Sequence, residues 1–408
     1  KISALPILLP IIIANYLHFT NKVNHINEAN RPVACVRNLL LPLFIAGITF
    51  FITSPYALLD FNEFFGDIKE QSLMARGILD YPYTRQYEDT TSYIYQFVQH
   101  IKTSMFPPLG ILCWIGFGFG LISFLKWKKT STEIILLSWI LPFGLITGSF
   151  HVKFLRYLLP LTPIVILYGA QLLTLILERS KSRVNFSRIT SISVVLIIIF
   201  TTYYAFAFTS IYSNPHSAVS SSEWLQKNAP PNSIILKEHW EEGLPQLNNY
   251  TILELPMYES DNELKFKSIS HNLSEANYIV FFSHRLYGTI PRLSYRYPIS
   301  SEFYKLIFSE KLGYDLVHYD KSYPSGLGIS FRDDTFSRID LPIPNLLQQS
   351  MNNNFSINMG FLDESFTVYD HPLVLIFENK KNYDEKTLFE IITTSTFNNQ
   401  NILSGRSQ

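Results

Sequence analysis

Cysteine is almost missing from this 408-residue sequence, which contains only Cys35 and Cys113. Cys35 lies near the predicted end of a membrane span and Cys113 inside another, so the polar second half of the chain has none. This excludes the disulfide framework that stabilises many small exported domains. A folded domain in the second half must therefore depend on an ordinary hydrophobic core.

Several motifs that would indicate chemistry are missing as well. Gly326-Leu327-Gly328 lacks the third glycine and the following helix of a dinucleotide-binding fingerprint. The sequence has no Walker loop, nucleophile elbow or closely spaced metal ligands. Residues 238–242 could bind a metal or a sugar, but a solvated loop is the preferred interpretation, and His371 is interpreted as a hydrogen-bonded turn residue. No cofactor is identified, and a divalent metal stays open.

Net charge is zero overall, but the two halves of the chain have opposite charge. Residues 1–211 contain 17 Lys and Arg against 10 Asp and Glu, a net +7, whereas the remainder has 16 against 23, a net −7. Neither half has the strong basic field of a nucleic-acid-binding protein, so no nucleic acid partner is expected. Long apolar runs almost vanish after Ile211. The chain is therefore predicted to have a membrane part and a soluble part.

Six stretches are apolar enough to cross a hydrocarbon layer of about 30 Å, which requires about 20 helical residues. They are residues 2–19, 39–59, 105–125, 134–150, 157–177 and 189–211. The three connections 20–38, 126–133 and 178–188 are rich in Lys and Arg, so the positive-inside rule places them in the cytoplasm. Their basic residues are Lys22, Arg31, Arg37, Lys126, Lys128, Lys129, Arg179, Lys181, Arg183 and Arg188.

The predicted fold class is an α-helical polytopic membrane region followed by a small extracytoplasmic α/β domain. The membrane region covers residues 1–211 with an outer loop at 60–104, the α/β domain covers 212–380, and 381–408 form a C-terminal tail. In the second half, short apolar strands alternate with helical stretches, which favours a mostly parallel sheet. The predicted strands are residues 233–237, 250–255, 278–283, 314–319 and 366–378; the predicted helices are 217–228, 261–273 and 301–309; and 342–358 is a predicted mobile loop.

The outer loop has an amphipathic first part, predicted to be a helix that lies on the membrane surface and ends at Gly77. The aromatic and polar run after it suits sugar hydroxyls and ring faces, but its tyrosines could equally form a membrane-interface belt. Asp60, where a span meets water, is either a helix-end charge or a functional acid. The candidate sugar or acceptor contacts are Asp60, Arg76, Tyr81, Tyr83, Arg85 and Tyr87.

The short connection 151–156 contains three basic residues on the side of the membrane where short loops usually lack them. His151, Lys153 and Arg156 form a cationic cluster at headgroup depth, which suits an anionic lipid group. We therefore predict that Lys153 and Arg156, with His151 as a weaker candidate, bind a lipid phosphate. The alternative is that these residues only anchor the protein at the headgroups.

Four strings in the chain resemble the multi-spanning GT-C glycosyltransferases, in particular family 39-like enzymes related to protein O-mannosyltransferases and lipid A aminoarabinose transferases. They are residues 54–60 (SPYALLD), 81–87 (YPYTRQY), 156–160 (RYLLP) and 363–372 (DESFTVYDHP). The likeness runs from the second span to about residue 379. The likeness indicates the class of enzyme but does not identify the substrate.

The resemblance implies inverting transfer of a sugar from a polyprenyl phosphate carrier to an acceptor glycan, lipid or protein outside the cytoplasm. It implies an integral protein of a bacterial or archaeal cell membrane, in which cationic residues hold the departing phosphate. A carboxylate in the first outer loop acts as base in such enzymes, and this base is expected upstream of Lys1. The alternatives are a non-catalytic transporter of lipid-linked glycans and an exported binding module anchored by the spans.

Overall fold

The protein is described by a computed structural model that covers residues 2–20, 31–126, 130–180, 184–351 and 355–405. The chain forms two compact units, Lys1–Ile199 and Phe200–Gln408. The division lies inside the last long apolar helix, about twelve residues before the boundary at residue 211 that hydropathy alone suggested.

The first unit is helical. Its α-helices are α1 (Leu8–Thr20), α2 (Arg31–Thr53), α3 (Tyr56–Leu59), α4 (Phe61–Ala75), α5 (Ile94–Gln99), α6 (Pro107–Lys126), α7 (Ser131–Gly148), α8 (Thr162–Ser180) and α9 (Val184–Thr209), the last of which continues into the second unit. The shorter helical segments are Ile2–Ile7, Pro82–Tyr87, His100–Ser104 and Leu155–Leu158.

Five of these helices (α2, α6, α7, α8 and α9) are long and apolar enough to cross a membrane by length and composition. The first predicted span is a shorter apolar helix, so the expectation of six full spans is corrected to five in the described residues. The shorter helix is Leu5–Thr20. Lys22, Lys128, Lys129, Lys181 and Arg183 of the predicted cytoplasmic connections lie outside the described residues.

Helices α6 and α8 pack closely because glycine faces the contact on both of them. A Cβ added at Gly116 would lie 2.5 Å from the Tyr168 carbonyl oxygen, and one at Gly169 would lie 2.7 Å from the Cys113 sulfur. Small residues allow this backbone approach where lipid gives no hydrophobic force between helices. The α6–α8 pair therefore depends on glycine at these positions.

The second unit contains a five-stranded sheet in the order β2-β1-β3-β8-β4 and a three-stranded sheet in the order β5-β6-β7. The strands are β1 (Ile234–Glu238), β2 (Thr251–Leu255), β3 (Tyr278–Phe281), β4 (Tyr314–Asp320), β5 (Ser325–Gly326), β6 (Ile329–Arg332), β7 (Ser356–Asn358) and β8 (Val374–Asn379). The helices are α10 (Ser217–Asn228), α11 (Glu263–Glu275), α12 (Pro298–Phe308), α13 (Phe336–Ile339), α14 (Asn345–Met351), α15 (Glu364–Thr367) and α16 (Glu385–Gly405).

The larger sheet is mixed and not mostly parallel as the sequence suggested. β1 runs parallel to β2 and β3, whereas β8 runs antiparallel to both β3 and β4. The first four residues of β8 are fully buried, and such an apolar run identifies a central strand without giving its direction. The α/β class is confirmed for this unit. The predicted parallel direction is wrong for the two pairings made by β8.

Three further segments differ from the sequence-based expectations. The predicted strand at 366–378 is a short helix, α15, followed by β8, and the predicted loop at 342–358 contains α14 and β7, with residues 352–354 outside the described residues. The segment expected to be a C-terminal tail contains α16, whose Leu388 and Ile392 are buried in the same core as β1 and β3. An amphipathic helix after a polar turn gives little signal of the surface that it covers.

Replacing Gly116 by Ala should weaken the packing of α6 on α8. The added methyl group meets backbone atoms, which cannot rotate away, and overpacking of this kind costs about 1–3 kcal/mol. Thermal unfolding of the purified chain in detergent should show a lower midpoint. Gly118→Ala is the matched control because its added methyl group meets nothing within 4 Å. Equal midpoints for the two variants would contradict this account of the helix contact.

Candidate functional site

The basic connection lies between α7 and α8 and folds back onto the end of α4. The Val152 amide donates a hydrogen bond of 3.2 Å to the Ala75 carbonyl oxygen. Gly77 has a φ of +74° and packs so closely on His151 that a Cβ there would lie 2.7 Å from the imidazole ring. Glycine is required at this position for both reasons. Gly77, the residue at which the sequence predicted the end of the loop helix, is therefore also the residue through which the loop contacts the basic connection.

Lys153 is buried in this connection, with 2 % of the residue exposed. Its ammonium group donates a hydrogen bond of 2.8 Å to the His151 carbonyl oxygen and lies 5.9 Å from the centre of the Tyr87 ring. No described carboxylate forms an ion pair with it. Burial lowers the pKa of Lys153 to about 8. The side chain is thus a desolvated cation held by a carbonyl dipole and an aromatic ring.

Arg156 differs from Lys153 because it is exposed. Its guanidinium carbon lies 4.2 Å from the centre of the Phe154 ring and 5.9 Å from that of Tyr157, so the rings hold it by cation–π contact. His151 is half-buried. Its pKa is lowered mainly by burial and, to a smaller extent, by the positive charge of Lys153. Lys153 and Arg156 are therefore the side chains of the connection that bring positive charge near neutral pH.

An aromatic cluster surrounds the two cations. Its buried members are the rings of Tyr87 and Phe154 and the aliphatic side chain of Val152. Tyr83, Tyr95 and Tyr157 pack against them. Tyr83 stacks on Tyr81 with ring centres 5.6 Å apart. The pKa of Tyr83 is raised by burial and by the neighbouring Tyr157 and Glu70, while Arg156 opposes the shift. The structure therefore brings the predicted tyrosines of the loop to the predicted basic residues.

Arg85 and Tyr81 have partners within the loop itself. Arg85 is buried and binds the Asp80 carboxylate through Nε and Nη2 at 2.8 and 3.0 Å, and the Tyr81 hydroxyl donates to Glu70. A paired, buried guanidinium is a structural contact, so Arg85 is not available as a sugar ligand in this arrangement. The sequence pointed to Arg85 but not to Asp80, whose spacing of five residues is no recognised pairing pattern.

Asp60 and Arg76 lie at the two ends of α4. Asp60 is exposed between α3 and α4. Arg76 is exposed after α4, where its Nε donates to the Ser72 carbonyl oxygen at 3.3 Å. Both side chains belong to helix ends, which was one of the two interpretations kept for Asp60.

An apolar cavity of about 340 Å³ lies within the first unit beside the same connection. Leu158 and Leu161, just after Arg156, line it together with residues of α5, α6 and α7. Gln96 on α5 donates to the Gly148 carbonyl oxygen at 3.1 Å, which ties the cavity wall to the end of α7. A nonpolar chain would fit this space, since apolar pockets bind apolar groups.

The second unit holds an ionic cluster that the sequence reasoning misjudged. Glu238 and Glu241, expected in a solvated loop, are both buried. Arg285 binds Glu241 at 2.8 Å and Glu364 at 3.2 Å, the Ser283 hydroxyl donates to Glu241 at 2.5 Å, and the Tyr304 hydroxyl donates to Glu238. Burial raises the pKa of Glu238 and of Glu241. The sequence hides this cluster because its members are up to 126 positions apart.

The string at 363–372 is explained by this unit's packing. Asp363 caps α15 by accepting from the Ser365 amide at 2.9 Å, and Glu364 binds Arg285. His371, predicted to be a hydrogen-bonded turn residue, is buried beside the rings of Phe208 and Phe366, and its Nδ1 has no described partner. Burial lowers its pKa to about 3. The described residues contain no group of three or more His, Cys, Asp or Glu side chains placed to hold a metal ion.

Comparisons of the chain with protein-family models, with curated proteins and with solved structures found no match. The likeness to GT-C glycosyltransferases thus rests on the four strings described above. Two of them, residues 81–87 and 156–160, meet at the aromatic cluster.

Replacing Lys153 by Met should stabilise the fold at neutral pH. Below pH 8 the ammonium is charged in both states, and the folded state bears the full cost of burying it. Between about 8 and 10.5 only the unfolded state holds the proton, so the stability of the wild type rises with pH. The variant should gain on the order of 1–3 kcal/mol in the free energy of unfolding at pH 7 and less at pH 10.

Denaturant unfolding in detergent at the two pH values measures this difference. Lys69→Met, on the exposed surface of α4, is the control and should change stability little at either pH. A gain for the Lys153 variant that did not depend on pH would show that charge burial is not its cause.

Replacing Arg285 by Met should destabilise the second unit by about 3–5 kcal/mol, since Glu241 and Glu364 would be left buried without their cation. Lys227→Ala removes an exposed pair with Glu223 at 3.9 Å and should change the free energy of unfolding by less than about 0.5 kcal/mol. Thermal unfolding of the full chain compares the two. A loss below 1 kcal/mol for Arg285→Met would mean that the carboxylates find other partners.

Proposed function

We propose that this chain belongs to a membrane glycosyltransferase that takes a sugar from a polyprenyl phosphate carrier on the non-cytoplasmic side. The observation that carries the proposal is Lys153, a buried ammonium without a described carboxylate partner beside the exposed Arg156. A buried charge of this kind is costly and is usually paired. An anionic ligand would supply the missing countercharge.

The two cations suit a phosphate that becomes a leaving group. Arg156 presents a planar fork that can meet two phosphate oxygens, while Phe154 and Tyr157 hold its guanidinium in place. Lys153 contributes a point charge in a region of low polarity, where electrostatic contacts are stronger than in water. As the bond to the sugar breaks, negative charge grows on the phosphate, so both contacts strengthen in the transition state.

The apolar cavity beside Leu158 and Leu161 supports the lipid part of the proposed donor. Its position in the segment that follows Arg156 would let an isoprenyl chain enter the cavity while the phosphate stays at the cations. The stacked rings of Tyr81 and Tyr83 offer faces for a sugar. The general base is assigned to no residue of this chain, and the acceptor is left as a glycan, a lipid or a protein.

Arg156→Ala should weaken binding of polyprenyl phosphate to the chain in nanodiscs by at least about thirtyfold, because a charged hydrogen-bond contact is worth about 2 kcal/mol or more. Lys153→Met should have an effect of similar size. Lys69→Ala removes an equal charge from the exposed surface of α4 and should leave the dissociation constant unchanged. Glycosyl transfer by the full-length protein in membranes should fall in Arg156→Ala and Lys153→Met and stay unchanged in Lys69→Ala. Unchanged binding and transfer in both site variants would refute the phosphate site.

Binding of the carrier phosphate should decline above pH 8, because Lys153 then loses its proton and its charge. Lys153→Arg keeps its charge to high pH and should bind equally well at pH 7 and pH 9.5. Titration of polyprenyl phosphate at the two pH values, with the wild type and the Arg variant in parallel, measures this. A wild-type affinity that does not change with pH would exclude charged Lys153 as a ligand.

A further inference from the structure

The hairpin formed by β5 and β6 ends in an exposed leucine. Leu327 and Gly328 form its two-residue turn, with φ values of +48° and +82°. Turns of this kind favour Asn or Gly at both positions, and a leucine there is uncommon. Leu327 is also 93 % exposed. Leu327 thus combines a large exposed apolar side chain with an unfavourable backbone conformation. We expect such a residue to contact an apolar partner.

A second exposed apolar side chain, Phe355, lies at the same end of the small sheet. β7 runs parallel to β6 with Ser356 opposite Ser330, so Phe355 comes next to Ile329, the first residue after the turn. The Ser330 amide donates to the Phe355 carbonyl oxygen at 3.2 Å, and Phe355 is 72 % exposed. We call Leu327 and Phe355 the hairpin tip.

The hairpin is bound to the end of α9, an apolar helix long enough to cross a membrane. The Ser325 amide donates a hydrogen bond of 3.1 Å to Ser210 Oγ, just beyond the helix. The Tyr203 hydroxyl, inside the helix, donates a hydrogen bond of 2.6 Å to the Gly326 carbonyl oxygen. Tyr203 lies six residues before the end of α9, about 9 Å along the axis. From Ser325 to Gly326 the hairpin thus moves towards the apolar part of α9, and Leu327 follows.

Charge patterning agrees with this direction. The segments 322–331 and 341–361, which form the tip and its neighbouring strand, contain no Asp, Glu, Lys or Arg, although the half of the chain after Ile211 has 39 such residues. Tyr203 and Tyr204 are aromatic residues of the type that marks membrane–water interfaces, and the ring of Phe331 on β6 packs against Tyr204 at 5.1 Å.

We propose that the hairpin tip inserts into the lipid interface beside α9 and anchors the second unit at the membrane surface. Leu327 and Phe355 would enter the boundary between headgroups and acyl chains, where exposed apolar side chains are stabilised. This inference depends on α9 crossing the membrane and does not depend on sugar transfer.

The test uses the full chain in nanodiscs of phosphatidylcholine and phosphatidylglycerol, with Cys35 and Cys113 replaced by Ser and Ala. Single cysteines at Leu327, Phe355, Phe206 and Leu264 carry a fluorophore that is quenched either by a nitroxide near the top of the lipid acyl chain or by iodide in water. Phe206, 72 % exposed on α9, is the lipid reference, and Leu264, 79 % exposed on α11, is the matched leucine in water.

The ratio of nitroxide to iodide quenching at Leu327→Cys and Phe355→Cys should be at least threefold that at Leu264→Cys and close to that at Phe206→Cys. A ratio equal to that at Leu264→Cys would overturn the proposal. So would protection from both quenchers, which would mean that another protein segment or a second copy covers the tip. Absence of lipid quenching at Phe206→Cys would overturn it too, since α9 would then not lie in the bilayer.

Discussion

The close contact between Gly77 and His151 is the constraint on which the candidate site depends. A Cβ at residue 77 would lie 2.7 Å from the imidazole, so the end of α4 can meet the connection between α7 and α8 only through glycine. This contact and the bond from Val152 to Ala75 place the loop's tyrosines around Lys153. Without these two contacts, the three basic residues would lie on a short connection of their own. The tyrosines would then form a separate segment of the outer loop.

Burial without a matching countercharge distinguishes Lys153 from the buried Arg85 and from Arg285. Arg85 binds Asp80, and Arg285 binds Glu241 and Glu364, so these buried cations stabilise the structure around them. Lys153 has a carbonyl oxygen and a ring instead. Desolvation of a charge is tolerated where the fold or a ligand offsets it. The same comparison separates a structural arginine from a candidate ligand, which composition could not do.

The candidate site was predictable in part. Lys153 and Arg156 followed from an anomaly of topology, and Tyr81, Tyr83 and Tyr87 from their concentration in one loop. The pairing of Arg85 with Asp80, the exposure of Asp60 and Arg76 and the ring of Phe154 beneath Arg156 did not follow. The contacts of Arg85 and Arg156 depend on which way a short 3-10 turn directs a side chain, and no periodicity in the sequence records that direction.

Apolar runs, charge asymmetry and alternating strands determined by themselves that the chain has a region of membrane-crossing length and a separate α/β unit, because burial of hydrophobic surface has a strong and local signature in sequence. Residues 217–228 even form the helix α10 at the bounds that the sequence suggests. Only the tertiary structure decided the direction of β8, the burial of Glu238 and Glu241, the place of α16 in the core and the meeting of the loop with the basic connection. These features depend on contacts between residues far apart in the chain, and such contacts are set by packing and by the pairing of buried charges.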